Sequence, residues 1–119
     1  MTYQKKIGDL GEKYAADYLQ TQGFKILDQS FYTRFGELDL VAQDATGLVF
    51  VEVKTRKSVS FGQPEESVTP EKLEKIVNAG LLWLQGHPEV GDDWRIDVIA
   101  LRLDEQDRIA DLQHFKNVY

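Results

Sequence analysis

Two charged side chains, Glu52 and Lys54, interrupt an apolar stretch that reads VFVEVKTR over residues 49–56. The valines and the phenylalanine predict a buried strand, on which residues two positions apart share a face. A charge inside a sheet is costly unless a partner compensates for it. A second predicted strand, residues 38–42, contains Asp39 and directly follows Glu37. These four side chains are therefore the first candidates for chemistry.

A hairpin would bring the four charges together. Residues 44–47, Asp-Ala-Thr-Gly, form a turn-rich tetrad between the two predicted strands. With that turn, Asp39 faces Glu52 and Glu37 faces Lys54, all on one face. The other face is then apolar and consists of Leu38, Leu40, Ala42, Val49, Val51 and Val53. This register is well specified, because a slip of one residue would place charges in the core.

Two carboxylates that face each other repel, and three arrangements would relieve the repulsion. One carboxylate could hold a proton, or a cation could lie between them. Mg²⁺ is a suitable cation because it prefers carboxylate oxygens, and a metal beside Lys54 would suit hydrolysis of a phosphodiester. Alternatively, the charges form a solvated ion-pair network with Lys54 and Arg34. The spacing alone leaves these alternatives open.

The remaining periodicities predict one mixed α/β (α+β) domain over residues 1–119, with helices packed on a central sheet. Thr69 and Pro70 are typical of a helix start. Residues 56–68, which include Ser58, Ser60, Gly62 and Pro64, are predicted to form a mobile loop. The predicted helices are 5–21 and 70–85, and the predicted strands are 24–27, 38–42, 48–54, 94–103 and 109–115.

The bulk composition restricts the class of protein. The net charge of −6 and the pI of about 4.8 argue against a domain that coats nucleic acid without specificity. They do not exclude a site that meets phosphate through a bound cation. No apolar run is long enough to span a bilayer, so no membrane partner is expected. The chain has no cysteine, which favours a cytoplasmic location.

The sequence GELDLV at 36–41, followed by VFVEVKTR, resembles the signature of the PD-(D/E)xK nuclease superfamily. That signature is an Asp, a variable gap, and then Glu-x-Lys on a hairpin. Nearly the whole chain also resembles the YraN-like family of bacterial proteins of uncharacterised function, and it is similar to the archaeal Holliday-junction resolvases. The matching segments include Gly11-Glu12, Gly23-Phe24, Lys72 and the stretch RIDVI at 95–99.

The resemblance implies a restriction-endonuclease-like fold, a mixed central sheet flanked by helices. It implies that Asp39 and Glu52 are ligands of Mg²⁺ or Mn²⁺, that Glu12 on the first helix is a supporting ligand, and that Lys54 is catalytic. The implied activity is metal-dependent endonuclease action on DNA rather than RNA, with branched or repair intermediates as candidate substrates. Glu37 receives no clear role. Ser30 and Tyr32 stand where the family often has Asn and Arg.

Two other functions stay open, namely a non-catalytic nucleic-acid-binding module with the same fold, and a domain whose acidic surface recruits a basic protein partner. A homodimer is also compatible with the sequence. For nucleic acid, Arg34, Arg56 and Lys57 are the candidate phosphate contacts. Tyr32 and Phe61 would either stack on bases or pack within the protein.

Three polar residues in the second half of the chain are assigned no role in the site. His87 and His114 have no metal-ligating partner at a useful spacing, so both are interpreted as incidental. Asp97 interrupts an apolar strand and is predicted to bond to the backbone or to an arginine such as Arg95.

Overall fold

A computed structural model describes residues 2–57 and 68–119, which form a five-stranded sheet with a helix on each face. The strands are adjacent in chain order, and all neighbouring pairs are antiparallel except the third and fourth strands, which are parallel. A parallel pair needs a crossover connection, and the second helix lies in it. The predicted mixed α/β architecture is confirmed. The elements are α1 Tyr3–Thr21, β1 Lys25–Thr33, β2 Gly36–Asp44, β3 Gly47–Lys57, α2 Pro70–Gln85, a 3₁₀ helix Pro88–Val90, β4 Trp94–Leu103 and β5 Ile109–Phe115.

Most element boundaries follow from local signals in the sequence. Thr69 caps α2 by accepting a hydrogen bond from the Lys72 amide at 3.2 Å, and Pro70 takes the first turn. Helix α1 begins earlier than predicted, because Thr2 caps it by accepting from the Lys5 amide. Strand β1 extends well beyond the predicted residues 24–27. The prediction was too short because the second half of the strand contains polar residues that are not typical of strands. The predicted mobile loop falls mainly on residues 58–67, which lie outside the described residues.

The apolar core has two parts, one on each face of the sheet. The part beneath α1 includes Ala15, Leu19, Leu40, Ala42, Val49, Val51 and Ile99. The part beneath α2 includes Leu38, Val41, Phe50, Ile76, Trp83 and Ile96. Both faces of the β2–β3 hairpin are therefore buried along much of its length. Apart from Asp44 beside the turn, the charged residues of the hairpin lie at the end remote from the turn.

Helix α1 approaches the sheet very closely at Gly11. A Cβ atom added there would lie 2.7 Å from Thr55 Cβ and would overlap the threonine hydroxyl. Only a glycine permits this distance between the helix and β3. The close approach also fixes the position of the next residue, Glu12, whose side chain accepts a hydrogen bond from Ser30 on β1.

No helix within residues 2–57 and 68–119 is both long and apolar enough to cross a membrane.

Candidate metal centre

The β2–β3 hairpin has the predicted register, but its pairing ends before the charged residues. The pairs run from Asp44 and Gly47 to Leu40 and Val51. At the next position, Asp39 Oδ2 accepts a hydrogen bond from the Val53 amide at 2.8 Å. The predicted Asp39–Glu52 and Glu37–Lys54 pairs are therefore not part of the backbone ladder of β2 and β3. The Val53 amide on β3 donates to the Asp39 side chain.

The regular alternation of side chains is also interrupted at Asp39. Leu38 packs beneath α2, whereas Leu40 packs beneath α1, so the prediction that both share one face is wrong. On the neighbouring strand, Ser30 has a positive φ of 53°, and the paired positions of β1 and β2 skip from Gln29–Leu40 to Phe31–Leu38. A left-handed residue in a strand bends it locally. Ser30 lies opposite Asp39, so the irregularity of β1 coincides with the change of face in β2.

Three carboxylates meet at this irregularity. Glu12 from α1 and Glu37 and Asp39 from β2 each offer one oxygen, and the three oxygens lie within 4.8 Å of one another. Ser30 Oγ donates a hydrogen bond to Glu12 Oε1 at 3.3 Å. Glu12 thus points towards Asp39, as the resemblance implied. Glu37, for which the sequence suggested no role, joins them. We call Glu12, Glu37 and Asp39 the acidic triad.

Two members of the acidic triad, Asp39 and Glu12, hold protons more tightly than ordinary carboxylates do. Burial, and then the neighbouring Glu52, raise the pKa of Asp39 well above its usual range. Burial, and then Glu37, raise the pKa of Glu12 to about 7. Protonation is one of the two remedies for crowded carboxylates, and a cation is the other. A divalent cation bound here would therefore displace protons.

Glu52 lies beside the acidic triad but has cationic partners. Its side chain is only 5% exposed, and its Oε2 atom lies 3.0 Å from Lys72 Nζ and 3.5 Å from Lys54 Nζ. Ion pairs are thus present around Glu52, but they surround a buried carboxylate and do not form the solvated network left open by the sequence, and Lys72 is the second cation. Arg34, the predicted partner, instead lies over the Phe35 ring at 4.8 Å.

Lys72 is the site residue that sequence reasoning missed. It lies in the first turn of α2, four residues before the buried Ile76, so it shares that helix face. This spacing was visible in the sequence. The crossover that carries α2 across the end of the hairpin was not.

A cavity of about 260 Å³ lies between the first turns of α2 and the ends of β2 and β3 that carry the charged residues. One wall is acidic and the other carries two lysines, while Lys54 is not among the described residues that line it. Such a cavity can hold a cation on one wall and an anionic group against the other. The lining residues are Phe35, Gly36, Glu37, Asp39, Glu52, Lys72, Lys75 and Ile76.

The other predicted nucleic-acid contacts are not among the described residues that line this cavity. Lys57 forms an ion pair with Asp107 at 2.5 Å and lies over the Tyr3 ring. Arg56 is half-buried near the end of β3, and Tyr32 is 69% exposed on β1. Phe61 lies outside the described residues. A role for Arg34, Arg56 or Lys57 in binding phosphate stays a prediction.

Asp97 belongs to a separate buried network. It accepts hydrogen bonds from Arg95 Nε and the Asn117 amide, both at 2.9 Å, as predicted. The interpretation of His114 as incidental was wrong. Its side chain is buried, and its Nε2 atom lies 2.8 Å from Asp97 Oδ2. These contacts tie β5 and the following residues to β4, because a buried carboxylate requires several partners.

We expect the metal-free protein to become less stable as the pH rises from about 5 to about 8. The unfolded chain releases the Glu12 proton near pH 4.5, whereas the folded chain holds it to about pH 7. The folded state therefore binds more protons in this window, and raising the pH favours unfolding. Carboxylates with a lowered pKa, such as Asp97, lose their contribution only below about 3.8.

Thermal melts in EDTA across this pH range would measure the effect. Glu12→Gln should flatten the profile, because it removes one of the groups responsible. A stability that rises over the same range in the wild type would contradict the burial of these protonated carboxylates.

Sequence comparison shows the family. The model of the Uncharacterised protein family UPF0102 matches residues 11–101. The chain belongs to this family. The predicted YraN-like membership is therefore confirmed.

Relatives in the UPF0102 family extend over almost the whole chain. A UPF0102 protein of Syntrophomonas wolfei is 41% identical over 97% of this chain and 98% of its own length. One from Mycolicibacterium vanbaalenii is 39% identical over 95% and 93%. One from Vibrio campbellii is 44% identical over 82% of each.

A solved structure, Pyrococcus furiosus SfsA in complex with Ca²⁺, is similar to 95% of this chain, with 13% identity and a TM-score of 0.38. This chain spans 63% of that SfsA chain.

Proposed function

We propose that this UPF0102 protein is a metal-dependent, nuclease-like protein that binds DNA and hydrolyses its phosphodiester bonds. The observation that carries the proposal is the acidic triad, whose three oxygens lie within 4.8 Å of one another beside a cavity with lysines on its opposite wall. The resemblance of the GELDLV and VFVEVKTR segments to the PD-(D/E)xK superfamily, with its restriction-endonuclease-like fold, supports the same conclusion.

The donor set fits a hard divalent cation. All three groups of the acidic triad are carboxylates, with no sulfur or imidazole, which suits Mg²⁺ or Mn²⁺. Asp39, Glu12 and Glu37 would hold it, and Glu52 would join them if it left its lysine partners. When bound, such a cation polarises a phosphoryl oxygen and lowers the pKa of a bound water.

The chain's own residues would prepare the phosphate for attack. Lys54, whose ammonium group lies 3.5 Å from Glu52, would orient or stabilise the reacting groups. The lysines on the α2 wall would attract the phosphate. Because the chain has a net charge of −6, we expect DNA to bind weakly until a cation reduces the negative charge of the acidic triad.

A second candidate is a module that keeps the fold and binds nucleic acid without cleaving it. The contacts of Glu52 favour it, because Lys54 and Lys72 neutralise this buried carboxylate without a metal. A cleavage assay separates the two candidates. The substrates are linear, single-stranded, flapped and four-way DNA, each with Mg²⁺ or Mn²⁺ and with EDTA.

Lys54→Ala is expected to abolish cleavage while leaving Mn²⁺ binding largely intact, because Lys54 is not in the acidic triad. Cleavage would be followed on gels and Mn²⁺ binding by calorimetric titration. Lys25→Ala is a suitable control, since Lys25 is exposed and pairs with Gln43 near the turn end of the hairpin. Wild-type protein that binds DNA but cleaves none of these substrates would favour the binding module.

A further inference from the structure

Lys72 and Lys54 contact the same oxygen of Glu52, but their side chains differ in how far they are exposed to solvent. Their ammonium groups lie 3.0 and 3.5 Å from Glu52 Oε2. The Lys72 side chain is 41% exposed, against 23% for Lys54. Lys72 also lines the cavity. It can therefore turn towards the cavity while Lys54 continues to neutralise Glu52.

The present position of Lys72 disfavours a divalent cation. Glu52 and Asp39 line the same cavity, so the ammonium group of Lys72 lies next to the carboxylates that would hold the metal. Like charges at this range repel, and the repulsion is strengthened where water is partly excluded. A cation bound by the acidic triad would repel the Lys72 ammonium group and thus weaken the ion pair between Lys72 and Glu52. A phosphate in the cavity would attract the released ammonium group.

We propose that Lys72 is a positioning residue that neutralises Glu52 in the metal-free protein and moves to a substrate phosphate when a divalent cation binds. This inference rests on the proposed function. It makes the binding of metal and of phosphodiester mutually reinforcing, because each favours the same position of Lys72. Such coupling is reciprocal, so DNA should tighten metal binding by the factor by which metal tightens DNA binding.

The test is calorimetric titration of Mn²⁺ into the full chain, with and without a short phosphorothioate DNA duplex that resists cleavage. Lys72→Met should bind Mn²⁺ alone about fivefold more tightly than the wild type, because it removes a partly screened repulsion. It should bind the duplex more weakly, with a salt dependence reduced by about one phosphate contact. The DNA-induced tightening of Mn²⁺ binding should shrink to the part that comes from the direct attraction between the cation and the phosphates.

Two further variants keep the test decisive. Lys72→Arg retains the charge and should keep the wild-type Mn²⁺ affinity, even if Lys72→Met folds poorly. Lys25→Met should match the wild type in every measurement, because this exposed lysine lies near the other end of the hairpin.

The outcomes distinguish this inference from the proposed function. If the wild type binds Mn²⁺ and cleaves DNA while Lys72→Met binds Mn²⁺ no more tightly and keeps the full coupling, Lys72 is only a structural counter-ion and the inference is overturned. If neither protein binds Mn²⁺, the proposed function and this inference both fall.

Discussion

Asp39→Asn is expected to abolish Mn²⁺ binding and to lower cleavage more than about a hundredfold, while stabilising the metal-free protein at about pH 8. The carboxylate is buried among other carboxylates, which raises the pKa of Asp39. At pH 8 the folded wild type must keep a proton on Asp39 that the unfolded chain has released, and asparagine removes this cost, which is more than about 1 kcal/mol. The amide oxygen of asparagine can still accept the hydrogen bond from the Val53 amide, so the strands keep their contact.

Calorimetric titration, thermal melts in EDTA and the cleavage assay together measure this result. Asp111→Asn is the matched control, since Asp111 is exposed on β5 and its loss should change none of the three readings. If Asp39→Asn instead lowered the melting temperature and left Mn²⁺ binding intact, the charge of Asp39 would be structural.

Gly11→Ala is expected to destabilise the fold by about 1–3 kcal/mol, although alanine is the better helix former. The new methyl group would overlap the Thr55 side chain on β3. Helix α1 would have to move away from the sheet, and Glu12 would move with it. We therefore expect weaker Mn²⁺ binding in addition to a lower melting temperature.

Gly8→Ala provides an unusually close control within the same helix. No atom lies within 4 Å of the position that its Cβ would take, so this variant should be stabilised by about 0.5–1 kcal/mol. Adding Thr55→Ala to Gly11→Ala should restore part of the stability, because it removes the overlapping hydroxyl. Equal melting temperatures for Gly8→Ala and Gly11→Ala would contradict the close approach of α1.

Much of the fold could be predicted because its signals are local. Strands β4 and β5 have the predicted bounds, Thr69 and Pro70 begin α2, and the tetrad at 44–47 sets the hairpin register. The length of β1 was underestimated because Asp28, Gln29 and Ser30 are poor strand formers. Asp28 is stabilised within the strand by a hydrogen bond from Trp83 Nε1, which the local sequence does not reveal.

The site was harder to predict because it depends on departures from regular geometry. Strict alternation gives no warning that Asp39 accepts the Val53 amide or that Ser30 adopts a positive φ. The contribution of Lys72 depends on the crossover between β3 and β4, which no local pattern describes. Glu12 was identified only through the family resemblance, since its helical position alone is ordinary.

The chain topology also has a consequence for the order in which the protein folds. The acidic triad and Glu52 all lie within α1 and the β1–β3 meander, whose strands are connected by short loops. Lys72 arrives only with the crossover, whose parallel pairing joins Leu48 to Trp94 and requires closure of a much longer loop. Contacts between nearby segments form first, because closing long loops costs more entropy. During folding, or on a ribosome that has released only the first half, the carboxylates therefore meet before Lys72 is available, so Lys54 on β3 alone neutralises Glu52 while protons or cations from the solvent neutralise the acidic triad.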